Sequence, residues 1–97
     1  MFARVSKFEG SGDKLDKLVE LFEKELLPNF QAQPGFKGVT FLIDRENGRA
    51  LGTTFWASET ELRASEEMAH QQRAQAAQAI TSEIEPTREV YEVAVRV

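Results

Sequence analysis

A short polar break between two strand-like runs constrains this chain more than any other stretch of it. Residues 39–43 read Val-Thr-Phe-Leu-Ile, residues 51–56 read Leu-Gly-Thr-Thr-Phe-Trp, and the stretch between them contains Asn47-Gly48. β-Branched and aromatic residues suit a pleated strand, and Asn and Gly tolerate the positive φ that a hairpin turn demands. The segment from Pro34 to Trp56 is therefore expected to form a central antiparallel pair, on or beside which the rest of the chain must pack.

The flanking stretches supply the partners. Residues 2–9 alternate, with Phe2, Arg4, Ser6 and Phe8 on one face and Ala3, Val5 and Lys7 on the other, and Gly10-Ser11-Gly12 ends that strand. Asp13 is the expected N-cap of a helix in which Leu15, Leu18, Val19, Phe22 and Leu26 recur at helical spacing. Glu20 and Lys24 form an i,i+4 pair on its wet side. Pro28 either ends this helix or opens a kinked continuation, since it lacks an amide donor, and Pro34-Gly35 is the firmer stop. Beyond the hairpin, Ser58-Glu-Thr-Glu61 matches a capping box and starts a second helix that runs to about Ile80. Its apolar stripe is thin: Leu62, Ala69, Ala76 and Ile80. Pro86 ends any helical remainder, and residues 89–97 alternate as a fourth strand, with Tyr91, Val93, Val95 and Val97 on one face.

The order β-α-β-β-α-β is that of a ferredoxin-like α+β fold, a four-stranded antiparallel sheet with both helices on one face. At 97 residues the chain, 1–97, reads as a single domain. The strands are apolar on both faces (Phe41 beside Leu42, Phe55 beside Trp56, Val93 beside Ala94), whereas a sheet wetted on one side alternates cleanly. Something must cover the second face, and a second copy of the same chain is the simplest cover, so a homodimer is expected.

Composition excludes several classes of function. The absence of cysteine removes disulfides, thiolate nucleophiles and cysteine-ligated metal centres together, and a cytoplasmic location is the expectation. One histidine without clustered carboxylates at ligand spacing makes no case for a metal. The net charge of −4, with basic residues scattered among acids, lacks the one-sided basic face that binds nucleic acid. No apolar run is long enough to span a membrane, and no nucleotide-loop Lys follows Gly10-Ser11-Gly12.

Pro34-Gly35-Phe36-Lys37-Gly38, the strand ending in Asp44, the turn at Gly48, Thr53-Thr-Phe-Trp56 and the following Ser58-Glu-Thr-Glu-Leu62-Arg-Ala64-Ser65 together resemble the antibiotic biosynthesis monooxygenase-like family. That resemblance implies a dimeric α+β barrel in which two ferredoxin-like sheets pack face to face. It also implies cofactor-independent monooxygenation of a small aromatic or polyketide-like compound in a pocket between sheet and helices. Haem-degrading relatives place a haem-ligating histidine on the second helix, which draws attention to His70. The interval from Trp56 to His70 is longer than that pattern, and the first strand has no Asn to act as distal donor.

Four residues are candidates for chemistry: Trp56, His70, Arg4 and Tyr91. Trp56, with Phe36, Phe41 and Phe55, is the expected pocket lining, since an indole offers a stacking surface and one donor; its other reading is a packing anchor. Arg4, Tyr91 and Arg96 are side chains able to polarise a phenol or hold an enolate oxygen. Arg4 reads equally as an ion-pair partner of Glu92 or of an acid of a second copy, and Tyr91 as a buried residue whose hydroxyl reaches the surface. His70 reads as an exposed helix residue near Glu66. No cofactor is expected. A non-catalytic dimeric module that binds a small ligand or a partner is the competing function. A cavity of at least ~300 Å³ lined by Trp56 and other aromatics would favour the enzyme, and a filled core the module.

Overall fold

The structure, a computed structural model, describes residues 1–80 and 85–97. Strands β1 (Phe2–Glu9), β2 (Phe36–Asp44), β3 (Arg49–Trp56) and β4 (Thr87–Glu92) form one sheet in the order β2-β3-β1-β4, with every neighbouring pair antiparallel. Helices α1 (Gly12–Leu21), α2 (Leu27–Gln31), α3 (Glu59–Ala64) and α4 (Glu66–Ala79) follow β1 and β3, giving the ferredoxin-like α+β arrangement. The central strands β1 and β3 set the inner face, where Phe2, Arg4, Ser6 and Phe8 stand opposite Trp56, Thr54, Gly52 and Ala50. Against them pack Leu15, Leu18, Phe22, Leu26 and Phe30 from the first helical layer and Leu62, Ala69, Ala76 and Ile80 from the second.

The hairpin forms where its residues demand it. The Asp44 carboxylate accepts from the Asn47 amide at 3.1 Å, from Asn47 Nδ2 at 2.8 Å and from Arg49 Nη2 at 2.8 Å. The hydrogen bonds from Arg49 and Asn47 hold the Asp44 carboxyl down at about 2. Gly48 has φ +65, and a Cβ there would meet the Gly10 carbonyl oxygen, whose amide donates to the Gly48 carbonyl at 2.9 Å. At the other end of the pair, Gly35 has φ +81 and leaves no room for a Cβ beside the Glu61 side chain.

Four details differ from the sequence reading, each for a local reason. The N-cap of α1 is Ser11 rather than Asp13, with the Ser11 carbonyl accepting from the Lys14 amide at 2.8 Å. Phe22–Leu26 form a π-helical turn that joins α1 to α2, and the Leu27 amide reaches back five residues to the Phe22 carbonyl. The wide turn accommodates the donor that Pro28 lacks, so of the two outcomes open for Pro28 it is the continuation, at the start of α2, that forms. The second helix is broken at Ser65 because the Leu62 carbonyl is diverted: it accepts from Ser65 Oγ at 2.7 Å and from Arg4 Nη2 at 2.6 Å. Finally, β4 stops at Glu92 and residues 93–97 are not strand. Glu92 already lies opposite Phe2, so β1 offers nothing further to pair with beyond the Val93 amide on the Met1 carbonyl at 2.9 Å. The expected helical remainder just before Pro86 falls on residues 81–84, outside the described residues.

The outer face of the sheet is mixed: an apolar patch of Val5, Leu42, Leu51, Phe55 and Tyr91 shares it with Thr40, Thr53 and the Lys7–Glu89 and Asp44–Arg49 ion pairs. Val5, Leu51 and Phe55 are half-buried, while Leu42 and Tyr91 are 57% and 49% exposed. Among the described residues no helix is long and apolar enough to cross a membrane.

Candidate functional site

A cavity lies between the inner sheet face and the helices. Its floor is Arg4, Ser6 and Phe8 of β1, Phe41 of β2 and Gly52 and Thr54 of β3; its roof is Leu18, Phe22, Leu26, Phe30, Ala69, Gln72, Arg73 and Ala76. Gly52 belongs there sterically, because a Cβ at that position would come to 3.3 Å from the Phe41 ring. The Phe22 ring packs against Phe41 at 5.0 Å and against Phe30 at 6.2 Å between centroids. The space enclosed is about 30 Å³, room for about two waters and an order of magnitude below a typical ligand pocket.

The polar end is built by Arg4. Its Nε donates to Glu66 Oε2 at 2.8 Å and its Nη2 to the Leu62 carbonyl at 2.6 Å and Ser65 Oγ at 2.8 Å. Its guanidinium also lies 5.5 Å from the Trp56 ring centroid, within cation–π range. Arg73 Nη2 donates to Glu66 Oε1 at 2.6 Å, and Arg88 Nε approaches the same oxygen at 2.9 Å. Burial pushes the Arg4 guanidinium down from its ordinary value, with Glu66 working the other way; arginine stays protonated regardless. Burial pushes the Glu66 carboxyl up, but the Arg73 hydrogen bond and the charges of Arg4, Arg73 and Arg88 outweigh it and hold the carboxyl below its ordinary value. Arg4 thus pairs with Glu66 across 62 residues rather than with Glu92, which stands opposite Phe2 at the sheet edge.

The structure separates the other candidate residues. Phe41 is in the cavity lining. Trp56 is fully buried but lies outside that lining: its Nε1 donates to Thr54 Oγ1 at 2.9 Å, and Phe36 meets its ring edge-on at 5.7 Å. Phe55 sits on the opposite face of the sheet, with the Arg96 guanidinium 4.1 Å above its ring. Tyr91 is half-exposed on that outer face rather than buried, and its hydroxyl donates to Glu89. The Glu89 hydrogen bond raises the Tyr91 phenol above its ordinary value, with burial adding to it. His70 is exposed on α4 and takes no part in the lining. Among the described residues no cluster of three acids or histidines is placed to hold a metal.

Arg73 was not among the residues singled out from sequence, although a signal was present. It stands four residues after Ala69 and three before Ala76, inside the apolar stripe of α4, and an arginine at a core-facing position requires a buried partner. Glu66, one turn before His70 and seven residues before Arg73, is that partner.

The comparisons with known proteins agree with this architecture. The family described as antibiotic biosynthesis monooxygenase matches residues 1–77. An uncharacterized protein of Mycobacterium tuberculosis, found in two strains, is 27% identical over 67 residues. The match covers 69% of this chain but 30% of that protein, so the chain spans under a third of the length of the curated relatives it matches. Among solved structures, the monooxygenase ActVA-Orf6 of Streptomyces coelicolor, solved with nanaomycin D, superposes with a TM-score of 0.81 at 19% identity, covering 99% of this chain and 89% of that one. SnoaB, a cofactor-independent oxygenase of Streptomyces nogalater, gives 0.67 at 16% identity, covering 99% and 95%. At such identities the likeness concerns the fold.

Proposed function

The chain belongs to the antibiotic biosynthesis monooxygenase family, and from that premise we propose that residues 1–97 form one domain acting, as a homodimer, as a cofactor-independent monooxygenase-like protein on a small aromatic or polyketide-like compound. The observation that carries the reading is the chemistry of the cavity lining rather than its volume: phenyl rings of Phe8, Phe22, Phe30 and Phe41 on its walls and the Arg4 guanidinium at its polar end. An aromatic substrate stacks among the rings, and a cation beside its phenolic or enolic oxygen favours the ionised form. The electron-rich carbanion then gives electrons to dioxygen. A ring CH₂ becomes a carbonyl, one oxygen atom of O₂ enters the product and the other leaves as water, so the substrate and dioxygen balance without a further reductant. None of the described lining residues is a carboxylate or an imidazole, so the reading relies on substrate acidity enhanced by Arg4 rather than on a dedicated base.

Admission of a substrate requires the cavity to widen. The π-helical turn at Phe22–Leu26 supports that step, because two of its residues form the roof and π turns carry a less regular hydrogen-bond ladder than α-helix. The small enclosed volume favours the competing reading, a non-catalytic dimeric module that binds a small ligand. Oxygen uptake measured with a panel of hydroxyaromatic compounds separates the two. Uptake that depends on the protein and yields the quinone supports the oxygenase; binding of the same compounds with no oxygen consumed would leave only the module.

A further inference from the structure

Charge does not balance around Glu66. Three guanidinium groups, those of Arg4, Arg73 and Arg88, converge on this one carboxylate. Arg4 and Arg73 are only 1% and 8% exposed, and each keeps its Nη1 buried without a hydrogen-bond partner. Both side chains line the cavity. Buried charges are ordinarily paired and their donors ordinarily satisfied, since stripping water from a guanidinium is costly in a low-dielectric interior. Two buried cationic donors beside the phenyl rings of one cavity give it a lining suited to an aromatic anion.

We infer, on the basis that this cavity widens at the Phe22–Leu26 turn to become the ligand site, that it selects aromatic compounds bearing a carboxylate, whose oxygens accept from Nη1 of Arg4 and Nη1 of Arg73 while the ring lies among Phe8, Phe22, Phe30 and Phe41. A carboxylate supplies the negative charge that Glu66 alone does not, and it accepts from both donors with no proton of its own to place. A neutral hydroxyl brings no charge and adds a donor to a site already rich in them. Arg73 is the specificity-determining residue in this arrangement, because Arg4 is also tied to the Leu62 carbonyl and Ser65 Oγ, whereas Arg73 has Glu66 as its one hydrogen-bond partner among the described residues.

Isothermal calorimetry on the full chain tests this with matched probes: benzoate and 2-naphthoate as acids, benzyl alcohol and 2-naphthalenemethanol as their neutral counterparts. The acids are expected to bind at least ~10-fold more tightly than the alcohols, the size of effect that charge-assisted hydrogen bonds give. In Arg73→Met that preference, read as the ratio of acid to alcohol affinity within the variant, should fall by about 10-fold, and Arg73→Lys should retain part of it. The acid-to-alcohol ratio in the Lys variant decides the matter should the Met variant fail to fold. Equal affinity for acid and alcohol overturns the inference and leaves the ligand cavity standing. Binding of none of the four probes overturns the cavity reading and the inference with it. An acid preference unchanged in both variants removes Arg73 from the site and overturns the inference as stated.

Discussion

Arg4 of β1 and Glu66 of α4 stand 62 residues apart in sequence and form the ion pair that ties the sheet to the second helical layer, with Nε donating to Oε2 at 2.8 Å. The pair also explains the break at Ser65, since the same guanidinium occupies the Leu62 carbonyl that would otherwise continue the helical ladder. Because the Glu66 carboxyl is held below its ordinary value in the fold, its contribution to stability is complete above the ordinary glutamate pKa of about 4.3 and is lost as pH falls through the lower folded value. Glu66→Gln leaves Arg4 buried against a neutral amide and should destabilise by about 3 kcal/mol or more at neutral pH. Urea unfolding between pH 7 and pH 3 checks both parts: the variant should start lower and lose less stability over the acid range than the parent. Parallel pH profiles would refute the assignment.

The start of α3 makes an independent prediction. Ser58 Oγ accepts from the Glu61 amide at 3.2 Å and donates to Glu61 Oε1 at 3.0 Å, so the serine serves the helix end directly and also positions the carboxylate beside it. Ser58→Ala should cost about 1 kcal/mol through the lost cap, read as a lower denaturation midpoint with an unchanged slope. Ser58→Thr should recover most of the loss, since its hydroxyl can both accept from the Glu61 amide and donate to the Glu61 carboxylate.

The parts of this molecule that were legible in its sequence are those governed by local rules. Asn47-Gly48 specifies a turn whatever surrounds it, and the capping box at Ser58 specifies a helix start, so both elements lie where the residues put them. The extent of β4 was not legible, because its end is set by where β1 runs out at Phe2, a fact about register between distant strands. The break at Ser65 depends on an arginine 61 residues away. The polar end of the cavity was half legible: Arg4 alternates with Phe2 and Phe8 on an inward face, but Arg73 hides among alanines and glutamines that give α4 little apolar pattern to interrupt.

Trp56 links the sheet edge to Arg4 and carries a stability prediction. It is fully buried, its one donor is satisfied by Thr54, and Phe36 and the Arg4 guanidinium flank its ring. As the single tryptophan, it should emit at blue-shifted wavelength in the native state and report unfolding directly. Trp56→Ala should lower stability by about 3 to 5 kcal/mol, with the larger values expected if the surrounding rings fail to close the space. A loss under about 1 kcal/mol would show that the indole is not the packing anchor its burial implies.

The outer sheet face makes the prediction that bears on assembly. Leu42 and Leu51 are directly paired across β2 and β3, and Val5, Phe55 and Tyr91 continue the apolar surface across β1, β3 and β4. These apolar residues lie among Thr40, Thr53 and the Lys7–Glu89 and Asp44–Arg49 ion pairs on the same face, and an exposed apolar patch with a polar rim calls for a cover. A second copy related by a two-fold axis presents the same residues to one another and buries both faces at once. The chain of 10.9 kDa should therefore sediment as a dimer at micromolar concentration. Leu42 is the discriminating site because it is 57% exposed on the isolated chain and so contributes little to the protomer's own packing. Leu42→Glu should leave the secondary structure intact while placing a charge within the contact, shifting the protein to monomer and lowering its apparent stability in a concentration-dependent manner. A parent protein that sediments as a monomer, or a Leu42→Glu variant that remains as dimeric as its parent, would show that this face is not where two copies meet.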